Sequence, residues 1–457
     1  MDRAIEIEGD VGERLIALAH WATALEWTAV PKGIRRRAAL VLCDDLAAIV
    51  AARGEPELIA FQDGLARSSG PAEATVFNAR ATRLDRYSAA VANGGASDWC
   101  ELDEGYRRAI GHAGIYCLPA LMAEAEATGA SGEDLLRALV IGYETVARIA
   151  LCFSWDSLVL HPHGSLAAVG AATAVGALRR LPADRMAAII NTSATLVVPG
   201  PYSHAVKGAL VRNVWPGIGA WAGMRAVDWV EAGITGTPGS LHDVFAGAFG
   251  GTCAPRALSA DLGTEWGLAD GYHKLHACCQ YAHAAVEATL ELLAQASADQ
   301  IDRIHIDTHW RGRTLENVEP ATTLAAKFSM QHALATTAIH GHAGAESFHA
   351  ATLDDPRIAA LRAKISIGAW EPELPAPNDR PARVSWHLTD GRVLSAECLS
   401  ARGGPDRPFA PGEIAGKATG IVAQPYPNMG PVLLQLLALD QTVLAQPWRD
   451  TVDAMVE

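Results

Sequence analysis

From Gly12 to about Gly267 the apolar residues recur at helical spacing. Leu15, Ile16, Leu18, Ala19 and Ala22 form one stripe, and after Pro31 the residues Ile34, Ala38, Val41, Leu42, Leu46 and Ile49 form another. The same period predicts helices over 116–128, 132–151, 165–180, 183–196, 217–231 and 283–297. Ala and Gly on many inner faces let these helices approach closely. Past Gly271 the period drops toward two. DRIHIDTH at 302–309 alternates, AKISIGA at 363–369 reads as a strand, and RVSWHLTDGRVLSAECL at 383–399 reads as two strands joined near Asp390-Gly391. After the turn-rich ARGGPDRPFAPGE, helical spacing returns at 412–423 and 430–440. This order predicts a mainly α protein. A large all-helical domain would be built from both chain ends (1–267 plus 400–457), with a smaller α+β domain inserted at 268–399.

Composition narrows the function classes. The chain has 457 residues, half of them hydrophobic, which is enough for a sizeable core. A net charge of -14, with no basic run longer than Arg35-Arg36-Arg37, excludes a nucleic-acid footprint. A local cationic pocket for an anionic metabolite remains compatible with that charge. The eight cysteines are scattered, and the adjacent Cys278-Cys279 is awkward for a bridge, so reduced thiols are expected. The start MDRAIEIEGDVGERL has no basic segment leading into an apolar core, and no apolar stretch reaches the roughly 20 residues a membrane span needs. A cytoplasmic protein without a membrane or nucleic-acid partner is expected.

Five stretches carry candidate chemistry. HKLHACCQYAHAAVEATLEL at 273–292 crowds Lys274, His276, Cys278, Cys279 and His283. It reads as a metal site, a thiol nucleophile made acidic by Lys274, or buried thiols at a helix start. Its spacing fits no finger or ribbon. ASDWCELDEGYRRAIGHAG at 96–114 places Glu101, Asp103 and Glu104 before Arg107, Arg108 and His112, with Trp99, Leu102 and Gly105 interleaved. Such a turn folded against protein could desolvate a carboxylate into a base. In LVLHPHGSLAAVGAATAVGAL at 158–178, His161 and His163 precede a helix of small residues; Ser165 is either its N-cap or part of an anion site. VKGALVRNVWPGIGAWAG at 206–223 sets Lys207 and Arg212 at another helix entrance, where a carboxylate can be gripped. ATTLAAKFSMQHALATTAIHGH at 321–342 adds Lys327, Ser329 and His332.

Taken in order, these pieces resemble the MmgE/PrpD family, which includes 2-methylcitrate dehydratase, cis-aconitate decarboxylase and iminodisuccinate epimerase. The resemblance is carried by Asn93-Gly94 with the acidic turn and His112, then His161-Pro162, Arg212 to Gly217, Lys274 to His283 and Ala326-Lys327-Phe328-Ser329, an ordered set spanning about 90 to 345. It implies a helical domain with an α+β lid domain, an active site in the cleft between them, a homodimer, and chemistry without metal or organic cofactor. Glu101 stands where the family usually has Asp, Arg212 where it has Lys, Gly105 where Thr is frequent, and His332 where Tyr is frequent.

The implied reactions share proton movement at a carbon next to a carboxylate. The expected roles are His161 and His112 as acid/base pair with Glu101 orienting one of them. Arg212 and Lys274 would grip the carboxylates, with His163, His276, Cys279 and His332 lining the substrate site. A guanidinium at position 212 does not give up its proton, so proton return falls to a histidine. Water loss is the first expectation for a small di- or tricarboxylate, epimerisation the second and decarboxylation the third. A catalytically silent binding relative and a metalloenzyme are the competing classes.

Overall fold

The computed structural model describes residues Asp2–Glu457, and it is mainly helical with one small sheet region toward the C-terminus. At its centre the Val211–Glu231 helix lies between the Arg86–Ser97 helix on one side and the Ala167–Leu178 helix on the other. Small residues make this possible. A Cβ on Gly94 would come within 2.5 Å of the Gly217 Cα, and one on Gly219 within 2.3 Å of the Ala167 Cβ. Asp85 caps the Arg86–Ser97 helix by accepting from the backbone N–H of Tyr87 and Ser88. The packing is antiparallel to that helix and parallel to Ala167–Leu178. One end of the trio therefore gathers the C-terminus of the first helix and the N-termini of the other two.

Most predicted helices appear within a few residues of their expected bounds. The Val211–Glu231 helix begins six residues earlier than its period suggested and runs through Pro216, placing Arg212 in its first turn. Ser165 is not a cap: it is buried in the short Pro162–Ser165 turn of helix, whose cap is His161. The chain's end returns to its beginning, because the Pro411–Val422 helix packs on Lys32–Ala51 and the Lys417 ammonium meets Asp44.

The sheet has the order Val393–Cys398, Ala382–Leu388, Ile301–Thr308, Ile365–Ala369. Its first two pairings are antiparallel and its last is parallel. Ile304, Ile306, Val384 and Trp386 face inward, against the His283–Leu292 helix. A separate two-stranded pairing, Gly105–Tyr106 with Gly271–Tyr272, ties the acidic turn to the segment that carries Lys274. Here a Cβ on Gly105 would fall 2.3 Å from the Tyr272 ring, so the glycine and the tyrosine require each other.

Candidate active site

Where the three central helices converge, Asp98, Glu101 and Asp103 follow the Arg86–Ser97 helix and are almost fully buried. Glu101 has a φ of 50°, a left-handed conformation that side chains other than glycine adopt at a cost, and this turns successive carboxylates inward together. Burying three acids requires compensation. Arg212 supplies one cation, pairing with Asp98 and, at 2.8 Å, with Glu101. Lys274 supplies the other, 2.9 Å from Asp103 and 3.2 Å from Glu101. Burial works against both charges, yet the facing carboxylates hold both cations more firmly protonated than usual. Asp98 is also shifted upward: burial pushes it up to about 6 despite Arg212, which makes its charged form less favourable.

Three imidazoles stand against this network. His112 Nδ1 lies 2.6 Å from Asp103 Oδ2 and 3.0 Å from the Glu104 carbonyl, which fixes a proton on that nitrogen. Among the described residues its Nε2 has no hydrogen-bond partner, in a ring that lines the cleft. Burial first, then Lys274, lowers the His112 pKa to about 4, so the ring is neutral and basic at Nε2 near neutral pH. His161 also lines the cleft, stacked on Tyr202 at 5.3 Å. Both its nitrogens face donors, the Arg212 Nε–H at 3.1 Å and the His163 backbone N–H at 3.3 Å. Burial and Arg212 hold it well below the ordinary histidine range. His163 is fully buried between Asp98 and the Tyr116 hydroxyl.

The cleft itself is a small cavity of about 40 Å³. On its walls are Glu101, His112, His161, Arg212 and Cys279, together with Tyr202, Tyr272 and Tyr281. Burial raises the pKa of all three phenols, so they are hydrogen-bond donors. From the sheet region comes Arg380, 8% exposed, whose Nε has no hydrogen-bond partner among the described residues and lies 3.7 Å from the Asp379 carboxylate. Asp379 is engaged mainly by Arg107. Arg380 is thus the cleft cation with charge to spare, whereas Arg212 is already met by two acids.

Several expected roles are corrected by these positions. The carboxylate that orients His112 is Asp103; Glu101 instead bridges Arg212 and Lys274. Lys274 is fully buried behind the cleft wall, where its charge balances the acids, so it does not reach a substrate. His163 lies in that same layer. His276 packs edge-on against His283 at 5.1 Å, away from the cleft. His332 follows the Ser329 cap and is bonded to Arg362 and Thr352, which makes it part of the sheet region's interior. Cys279 reaches the cleft, but burial, then Glu101, raises its thiol to about 12, and Cys278 is raised further, so neither is an activated nucleophile. Lys207 is exposed.

Asp98, Asp103 and His112 offer three donor atoms within 4.8 Å of one another. Those donors are already engaged by Arg212, His163 and Lys274, so a metal ion would have to displace two buried cations. The arrangement does not fit one. Sequence reasoning named Asp103 only as one acid of the turn, without its role, and missed Asp98, Arg380 and the three tyrosines. Only the acidic turn carried a visible signal, and it pointed to the neighbouring carboxylate.

Comparisons with known proteins identify the family. Residues 16–257 match the MmgE/PrpD N-terminal domain and residues 276–429 the MmgE/PrpD C-terminal domain. A cis-aconitate decarboxylase of Aspergillus terreus is 24% identical over 346 residues, covering 70% of each chain. A cis-aconitate decarboxylase-like protein, oryM, of Aspergillus oryzae is 26% identical over 316 residues, covering 63% of each. With both domains matched over most of its length, the chain belongs to the MmgE/PrpD family.

Proposed function

We propose that the protein is a cofactor-independent lyase that removes a proton next to a carboxylate of a small di- or tricarboxylate and then expels water. The observation that carries this reading is the Asp103–His112 pair, which presents an unpartnered, neutral Nε2 to a cleft also lined by the under-neutralised Arg380. A base that is deprotonated near neutral pH suits proton abstraction better than proton donation. Arg380 would take a substrate carboxylate, and Arg212 would stabilise the charge that develops on the carboxylate oxygens. Neutral phenols of Tyr202, Tyr272 and Tyr281 would donate to the remaining oxygens, including the departing hydroxyl.

Decarboxylation is the second reading, favoured by the names of the two fungal relatives. Epimerisation would use the same first step without a leaving group. The homodimer implied by the family is likewise a proposal, tested by the solution mass. To test the reaction, a panel of hydroxylated and unsaturated di- and tricarboxylates is followed by proton and carbon NMR. Reversible formation of an unsaturated acid from a hydroxy acid supports the hydro-lyase. Loss of a carboxyl carbon as carbon dioxide selects the second reading, and turnover of no member refutes both.

A further inference from the structure

Next to the cleft lies a second, larger chamber of about 240 Å³ that the small-carboxylate reading leaves unused. Its wall is mainly apolar, with Ile149, Leu151, Phe153, Leu158, Leu166 and Phe245 among its residues. The two spaces share Ala109, Ile110 and Pro162 as a common wall. The chain geometry explains how one segment serves both. His161 is extended, with φ -85° and ψ 128°, and its backbone N–H is held by the Gly200 carbonyl while Leu160 bridges to Pro201. Alternate side chains of an extended segment point to opposite sides. Leu158 and Leu160 thus line the chamber, and His161 between Leu160 and Pro162 lines the cleft.

We propose that the substrate is a carboxylate carrying an unbranched alkyl or alkenyl chain, its polar head in the cleft and its chain passing Ala109 and Pro162 into the chamber. This rests on the proposed function for the placement of the head. Several observations favour such an occupant. The shared wall is narrowest in side-chain bulk at Ala109, beside the cleft residues Gly111 and His112. Arg108 and Arg311 are the charged residues on the chamber wall, and Arg108 is half exposed and paired with Asp270 at 3.5 Å. No acid lines the chamber among the described residues; Ser154, Ser157 and Ser165 are its neutral polar groups, set among the aliphatic and aromatic side chains that would face the chain.

The test uses unreactive alkylsuccinates with methyl, butyl and hexyl chains, titrated calorimetrically into the full-length protein. Each buried methylene is expected to tighten binding roughly threefold to fourfold. The hexyl compound should then bind far more tightly than the methyl one. Leu158→Trp fills the chamber and should collapse that ratio toward one; Leu151→Phe, on another part of the wall, gives the same readout should the first variant fail to fold. Arg380→Gln should weaken every member of the series alike. Affinity independent of chain length in the wild type, with methylsuccinate still bound, overturns the proposal but leaves the lyase reading standing. A ratio unchanged by either filled chamber also overturns it. Binding of no succinate at all removes the head site on which both rest, whereas a preserved chain-length ratio without turnover of any alkyl-substituted hydroxy acid supports the chamber and refutes the reaction.

Discussion

His112 is held by Asp103 on one nitrogen and open on the other, which makes the pair the most economical proton-transfer device in the site. Asp103→Asn should leave the ring in place but free its tautomer, and His112→Ala should remove the base; each is expected to lower kcat by about 10²–10⁴-fold. Steady-state kinetics alongside circular dichroism separates that loss from misfolding. Burial lowers the ring to about 4, so protonation of His112 should cut kcat/KM only below about pH 5. An inflection near 6 that disappears in Asp98→Asn would belong to Asp98, raised to about 6, and one near 6.5 that persists in that variant would mean an ordinary, unburied histidine. Arg380→Gln should raise KM by more than it lowers kcat, since a clamp that holds substrate and transition state equally acts on binding. The sequence showed the acidic turn and both cleft histidines, but it could not show which acid meets which ring. Glu101 is engaged by Arg212 and Lys274 rather than by a ring, and Arg380 sits in a loop whose partners Gln280 and Arg107 are remote in the chain.

Helices were legible in proportion to their amphipathic length. The Gly132–Cys152 helix, long and buried at every position from Leu135 to Ile149, is legible nearly to its ends. The Arg86–Ser97 helix was not read at all, because RYSAAVANGGAS carries adjacent glycines that depress helix propensity. Those glycines are tertiary features: Gly94 meets Gly217, and a Cβ on Gly217 would fall 2.4 Å from the Val91 carbonyl oxygen. Gly217→Ala is therefore expected to destabilise the protein by about 1–3 kcal/mol through overpacking, measured by urea unfolding. It should also reduce activity at temperatures where the fold persists, since the Asp98–Arg212 contact hangs on that helix pair. The two-residue pairing of Gly105–Tyr106 with Gly271–Tyr272 was invisible for a different reason, being too short to leave any period.

Across the whole molecule, helical ends of the chain enclosing a later α+β region were legible because the hydrophobic period changes where the architecture does. The net charge of -14 conceals a cleft whose wall carries two buried guanidiniums, and no composition argument could locate them. Burial also sets the acid stability. His112, His276 and His332 are lowered to about 4 and His309 to about 3, with burial the first cause in each. Unfolded histidines titrate near 6.5, so between about pH 6.5 and 4 the unfolded chain binds protons that the native state refuses. Through these rings stability falls as pH drops across that window, while the raised carboxyls of Asp98, at about 6, and Glu104, at about 8, act in the opposite sense. Replacing His276 and His332 by Gln should therefore make the melting temperature fall less steeply toward acid, and an unchanged slope would contradict the burial of these rings. The most direct test of the central claim is hydrogen exchange at the carbon next to the carboxylate, followed by NMR in deuterium oxide with the turned-over hydroxy acid or its unreactive analogue. The account predicts deuterium incorporation by the wild-type protein that is lost in a folded His112→Ala variant. Exchange that persists unchanged without His112 would contradict it.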